Sequence, residues 1–326
     1  MYKVSSSFDF QDITSLIKND GKLVLGKLAY NGNVPSEVLF KSLTKHLKEL
    51  MHKDTLRLAL IDASGCVMGV VLVGKAKWDS EHFGIGIGKL KLALFDRKID
   101  IKSRCYLFQK AKDVAASQGL DVIFARVALN DLPSVHCLEK EGGMLTDILV
   151  TFYIEPERKL IQARPPSGTE VVEACKGDKQ ALMIMADAIF KIDHFHADPY
   201  LPRDKCDKLY AEWVSSCLDG LVDTVLVARK DSKPVGFITC RIERITEGYS
   251  YGVIDLVGVE KEREGKGIGS SLVSEALRWF SNYTRSVYVG TQAANIPAVR
   301  LYEKMGFRQV FSEATVHLWV SSKWNR

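Results

Sequence analysis

The chain has 326 residues, 46% of them hydrophobic and 26% charged, with a formal net charge of +5. That length exceeds one ordinary core and points to two domains, while the composition excludes a disordered or fibrous chain. Basic residues are spread out rather than blocked, so nucleic acid is not an expected partner, and no apolar run approaches the ~18 residues of a membrane span.

The N-terminus, MYKVSSSFDFQD, has no basic start followed by an apolar run, so it does not read as a signal peptide. The seven cysteines, Cys66, Cys105, Cys137, Cys175, Cys206, Cys217 and Cys240, are odd in number and form no C-x-x-C. They read as buried thiols in a reducing cytoplasm, not as a disulfide framework.

In chain order, an N-terminal helical stretch precedes an antiparallel pair, LRLALIDASGCVMGVVLVG, that turns through Asp, Ser and Gly. The run FGIGIGKLKL from Phe83 is glycine-rich but leads into a strand, which makes it structural. A helix of about four turns follows, then the strand DVIFARV, a short helix and the strand DILVTFYI. The composition breaks at PERKLIQARPPSGTE, Pro156 to Glu170, where charge, a Pro-Pro pair and Ser-Gly meet. We read residues 156–168 as an extended linker between domains 1–155 and 169–326.

The second half repeats the first. TVLVARKDSKPVGFITCRI is again an antiparallel pair, and NIPAVRLYEKMGF (Asn295 to Phe307) aligns without gaps on DLPSVHCLEKEGG (Asp131 to Gly143). Pro133 matches Pro297, Val135 matches Val299, Glu139-Lys140 match Glu303-Lys304, and Gly142 matches Gly306. The same order of elements around both segments indicates a duplicated domain. Each copy is expected to be α+β, a mixed and mostly antiparallel sheet flanked by helices.

The chemistry gathers around EREGKGIGSS, Glu262 to Ser271. The apolar strand VIDLVGV precedes it, and SSLVSEALRWFSNY after it places Leu272, Val273, Ala276, Leu277 and Phe280 on one helical face. A strand, glycine turn and helix aim several N–H groups and the positive helix end at one spot, as an anion requires. A P-loop is excluded by the missing Lys-Ser/Thr pair, and a Rossmann fingerprint by the G-x-G-x-G spacing. A purely structural turn remains the alternative for a lone glycine run.

Strand, EGKGIG, amphipathic helix, strand and N-x-x-A-x-x-L-Y-E-K-x-G-F together resemble the acetyl-CoA-binding half of a GCN5-related N-acetyltransferase. The family's [Q/R]-x-x-G-x-[G/A] pattern falls on Glu264, Gly267 and Gly269, and its second block on Asn295, Ala298, Tyr302, Gly306 and Phe307. The likeness covers roughly Gly168 to Val320. It implies that Glu264, Gly265, Lys266, Gly267, Ile268, Gly269 and Ser270 surround the coenzyme A pyrophosphate. The pantetheine arm would then lie beside Val257, Gly258 and Val259, whose backbone N–H groups polarise the thioester carbonyl. Asn295 either bonds coenzyme A, near Ala298, or caps its helix.

The same likeness makes Tyr302 a proton donor to the departing thiolate, the alternative being a core tyrosine. Asp255, expected on one strand face with Val257 and Val259, is either a base acting through water or a solvated or salt-bridged carboxylate. Glu264 departs from the family's Gln or Arg, and is expected to face solvent or pair with Lys266. The first half offers DIKSRC, without glycine, in place of the loop and Leu138 in place of Tyr302, which marks it as a degenerate copy.

KIDHFHADPYLP contains H-x-H but no third ligand at useful spacing, so no metal is expected. The combination FHADP, LYAEWV and VGTQAANIPAVRLYEKMGF, with WDSEHFG, is similar to the two-domain dTDP-fucosamine acetyltransferases. That implies an acceptor pocket near Phe195, His196, Tyr210 and Trp213, although His196 also suits a structural role. The expected protein is a cytoplasmic monomer or homodimer that acetylates a small amine, foremost a nucleotide-linked deoxy-amino sugar. A protein, peptide or polyamine acceptor, or a non-catalytic acyl-CoA-binding regulator, are the alternatives.

Overall fold

The computed structural model describes residues 2–18, 26–30, 34–51, 55–156, 163–246 and 248–320. The chain divides into two compact units. Met1–Tyr30, Pro35–Ile148 and Ser312–Arg326 form the first, and Asn31–Val34 and Leu149–Phe311 the second.

In the first unit the strands are β1 (Lys3–Ser5), β2 (Thr55–Ile61), β3 (Val67–Lys75), β4 (Ile87–Phe95) and β5 (Val122–Ala128). They lie in that order, with β12 (Arg308–Trp319) beside β5. Only β4 and β5 run parallel, joined over Ile87–Lys89 and Val122–Phe124. Both sheet faces are covered, which explains why β3 reads as an unbroken apolar run. Val71 and Val73 pack with Phe95, Phe108 and Val316 on one side, while Val70 and Leu72 pack with Ile13, Leu16 and Leu47 on the other.

The second unit repeats this plan. Its sheet runs β7 (Thr169–Glu173), β8 (Thr224–Lys230), β9 (Lys233–Thr246), β10 (Tyr249–Val259) and β11 (Val287–Gln292), closed by the later part of β6 (Met144–Ile154). Again one pair, β10 and β11, is parallel. The fold is therefore α+β with two like units in tandem. The repeated short helices, Leu132–Lys140 and Ile296–Lys304, both carry proline in their first turn. They also end alike: Gly142 N donates to Glu139 O at 2.9 Å, and Gly306 N to Glu303 O at 3.0 Å.

The last strand of each half serves the other half's sheet. Leu149–Ile154 of β6 pair antiparallel with Gln292–Val287, and Glu313–Trp319 of β12 pair antiparallel with Ala128–Val122. A cut within 156–168 thus separates the sequence halves, whereas the packed units exchange a strand. Residues 157–162 of that segment lie outside the described residues.

The cysteines depart from the expectation of buried thiols in two ways: Cys66 and Cys175 are exposed, and two others are bonded to each other. Cys105 and Cys137 form a disulfide between the helices Ile101–Ser117 and Leu132–Lys140, with their Cα atoms 4.7 Å apart. A separation of 32 residues gave no sign of this pairing, because the helices meet only on folding. Cys206 and Cys217 are buried thiols, and burial pushes both up to about 12. Among the described residues, no helix is long and apolar enough to cross a membrane.

Candidate active site

In the second unit, β10 and β11 are hydrogen-bonded partners only over Gly252–Ile254 and Val287–Val289. Beyond Ile254, β10 continues to Val259 with β9 as its partner but without pairing to β11. The parallel pair therefore splays open, leaving a slot flanked by the end of β10.

A bulge accompanies the splay. Ile254 faces Cys240 and Val257 faces Ile238, so β10 spends three steps where β9 spends two. The extra residue reverses side-chain alternation. Asp255 reaches Arg241, whose register partner is Val253, while Val257 and Val259 pair with Ile238 and Gly236 on the opposite face. The expectation that Asp255 shares a face with Val257 and Val259 is thus corrected: strict period-two alternation does not survive a bulge.

Asp255 is held in a two-pronged ion pair. Arg241 Nε donates to its Oδ2 at 2.9 Å and Nη2 to its Oδ1 at 2.8 Å. These bonds are the leading cause that raises the Arg241 guanidinium above its ordinary value, and Glu243 also contacts that guanidinium. Of the alternatives for Asp255, the structure holds the salt-bridged carboxylate.

After β10 the chain makes a short turn, Lys261–Arg263, and enters the loop. Gly265 and Gly267 have φ of 72° and 88°, a region that costs an L side chain about 1–2 kcal/mol. Gly267 is the N-cap of the helix Ile268–Phe280 and supplies no side-chain acceptor. The first main-chain bond of the helix runs from Ser271 N to Gly267 O at 3.1 Å. The N–H groups of Ile268, Gly269 and Ser270 precede it and have no intrahelical acceptor. A Cβ at Gly265 would meet nothing within 4 Å, and one at Gly267 only Pro166 at 3.9 Å. The loop is an open cradle of amides at a positive helix end, which fits a pyrophosphate.

Glu264 is exposed, as expected, and is not held by Lys266, which instead donates to the Glu262 carbonyl at 2.8 Å. Ile268 and Ser270 are buried, and Ser271 Oγ donates to Gly267 O at 3.0 Å, which braces the cap. The helix buries Leu272, Val273, Ala276, Leu277 and Phe280. A Cβ at Gly252 would lie 2.5 Å from Phe280, so this helix packs directly on β10.

Tyr302 is 4% exposed, with its ring against Phe152 at 5.8 Å and Phe307 at 5.7 Å. Burial pushes its hydroxyl well above the ordinary phenol value of 10.0, so it keeps its proton. Asn295 Oδ1 accepts from Ala298 N at 3.3 Å, which realises the capping role.

The expected acceptor residues separate into two groups. Tyr210 stacks on Phe190 at 4.7 Å and Trp213 at 6.0 Å, and Phe190 meets Phe237 of β9 at 6.2 Å. Phe195 and His196 belong instead to a braced turn. Asp193 accepts from both their amides, His196 Nδ1 lies 2.6 Å from Asp193 Oδ2, and its Nε2 lies 3.3 Å from Asp207 Oδ1. Both imidazole nitrogens are thus occupied, which is the structural role. Among the described residues no group of His, Cys, Asp or Glu is arranged to hold a metal. Phe190, Phe237, Thr239 and Arg241 were missed because their partners come from other elements, and nothing local marks them.

Residues 189–307, all within this unit, match the Acetyltransferase (GNAT) family. The chain is similar to the spore coat polysaccharide biosynthesis protein SpsD of Bacillus subtilis (strain 168), with 25% identity over 260 residues, 78% of this chain and 84% of that one. Mycothiol acetyltransferase of Streptomyces bingchenggensis is 28% identical over 148 residues, 44% of each chain. Solved structures share the fold. A GCN5-related N-acetyltransferase from Sphaerobacter thermophilus matches with a TM-score of 0.62 at 14% identity, covering 98% of this chain and 96% of its own. A tandem GNAT protein from the clavulanic acid biosynthesis pathway matches at 0.54 and 13% identity, covering 98% and 99%.

Proposed function

We infer that the second unit transfers an acetyl group from acetyl-CoA to the primary amine of a nucleotide-linked deoxy-amino sugar. The observation that carries the donor half is the uncapped helix start behind two left-handed glycines. Amides of Ile268, Gly269 and Ser270 hold the pyrophosphate, and the exposed Glu264 stays clear of it. Acetyl-CoA supplies the acyl group as an activated thioester.

The chain's residues then divide the work. The amides of Leu256 and Glu260 turn to β9, so alternation leaves those of Val257 and Val259 on the splayed edge, where they stabilise charge that develops on the carbonyl oxygen; each such donor is worth about 2.7–4 kcal/mol in comparable sites. The acceptor nitrogen attacks as the neutral amine, forming the amide bond as the carbon–sulfur bond breaks. Tyr302, kept protonated by burial, donates its O–H to the departing sulfur. The nitrogen's surplus proton passes to solvent, and a proton taken back from solvent restores the Tyr302 hydroxyl.

The sugar half rests on the likeness to a protein named for polysaccharide biosynthesis, and on the half-buried Phe190 and Trp213 rings, held by the buried Tyr210 between them, whose remaining surface suits a base or sugar ring. Incubation with labelled acetyl-CoA and either a dTDP-4-amino sugar or a peptide panel tests it. N-acetylated nucleotide sugar is the expected product; label confined to peptides would refute the assignment.

A further inference from the structure

Two residues of β9 grip the two residues of the β10 bulge. Arg241 takes the Asp255 carboxylate with two hydrogen bonds, and Thr239, two positions away on the same strand face, takes the next residue's amide. Leu256 N donates to Thr239 Oγ1 at 2.9 Å, and Thr239 has no exposed surface. The ladder supplies no partner for that amide, because register jumps from Ile254–Cys240 to Val257–Ile238. A side-chain oxygen thus satisfies a buried N–H that regular pairing would have left over.

The position of this grip gives it a consequence. The bulge is the last point before Val257, Gly258 and Val259, and it decides which way their amides turn. Without the extra residue, the alternation of β10 would continue unbroken and those groups would present the opposite edge. A buried hydroxyl and a forked guanidinium, fixed on a neighbouring strand, hold the bulge.

We propose that Thr239, Arg241 and Asp255 are positioning residues that clamp the bulge, aiming the Val257 and Val259 amides at the thioester carbonyl. Asp255 therefore acts as the handle by which Arg241 holds the strand, and takes no proton from the amine. The proposal rests on the acetyl-transfer reading of this unit. It assigns the rate to backbone aim and leaves coenzyme A affinity to the separate glycine loop.

The experiment uses the full chain with Thr239→Val, Thr239→Ser and Arg241→Lys. Steady-state turnover is read with acetyl-CoA and a dTDP-4-amino sugar, coenzyme A affinity by calorimetry, and the Leu256–Val259 amide signals by NMR. Thr239→Val should shift those amide signals and lower kcat by about 10- to 100-fold, as misplacement of catalytic groups does. Its coenzyme A Kd should stay within about twofold, since the loop amides are untouched. Thr239→Ser should restore both signals and rate, and Arg241→Lys, which loses the fork, should resemble Thr239→Val. Unchanged amide signals in Thr239→Val would overturn the clamp. So would a loss of coenzyme A affinity that matches the loss of rate. A wild-type chain that binds coenzyme A but acetylates no amine would instead refute the acetyl-transfer reading, leaving the clamp to be judged by the amide signals.

Discussion

Asp100 and Gly267 hold the same place in the two units, each the N-cap of the helix that follows the splayed strand, and they do opposite things. Asp100 turns its own carboxylate onto that helix: Oδ1 accepts from Ser103 N at 2.9 Å and Oδ2 from Ser103 Oγ at 2.8 Å. Gly267 offers no side chain, so the corresponding amides stay available. The first unit has an anion built in where the second leaves a cradle, and Leu138 packs in its core where Tyr302 stands in the other.

Gly267→Asp should therefore make the second unit behave like the first. A carboxylate would compete for the amides, and φ of 88° would strain the new side chain. Coenzyme A affinity is expected to fall by about tenfold or more, equivalent to 1.4 kcal/mol. Calorimetric titration with coenzyme A reads this directly; unchanged affinity would remove the loop from the donor site.

Tyr302→Phe keeps the ring contacts with Phe152 and Phe307 and removes only the hydroxyl. A loss of about 10²-fold or more in kcat is expected, the usual scale of acid catalysis. Coenzyme A binding should hardly change. Unaltered turnover would return Tyr302 to a core role.

The same hydroxyl gives a pH prediction. Its folded value is raised by burial, so the stabilisation is complete below the ordinary 10.0 and is lost as pH rises towards the folded value. Alkaline denaturation above about pH 10 should be less steep in Tyr302→Phe than in the wild type. Urea midpoints measured from pH 8 to 11 would show the wild type falling more steeply than the variant at the alkaline end.

Glu264→Arg replaces an exposed carboxylate beside the cradle with a cation. Coenzyme A should bind about two- to fivefold more tightly at low salt, and the gain should shrink as salt rises. Weaker binding would show that the carboxylate has a role of its own.

Phe280 is wholly buried against β10, where Gly252 leaves room for its ring. Phe280→Ala should cost about 3–5 kcal/mol of stability by cavity formation. Thermal and urea unfolding of the second unit's signal would measure it.

The cradle was legible in the sequence because its parts are consecutive: β10, glycines 265 to 269 and an apolar helical stripe follow one another along the chain. The duplication was legible for the same reason, since Pro133 and Pro297 or Gly142 and Gly306 keep local roles. The strand exchange was not. ILVTFYI and ATVHLWV are both largely apolar, and nothing within either strand says whether β5 or β11 will accept it. The bulge was equally hidden, because an inserted residue in VIDLVGV leaves composition unchanged and appears only against the register of β9. His196 illustrates a third limit. The resemblance left His196 open between an acceptor pocket and a structural role, because Asp193 and Asp207, which brace its nitrogens, are brought in by a turn and a helix.

The central claim is tested most directly by product identification. The full chain, given acetyl-CoA labelled in its acetyl group and a dTDP-4-amino sugar, should release coenzyme A and an equal amount of labelled N-acetyl nucleotide sugar, and Tyr302→Phe should suppress both. Coenzyme A release without label on the sugar nitrogen, or label that appears only on peptides, would contradict it.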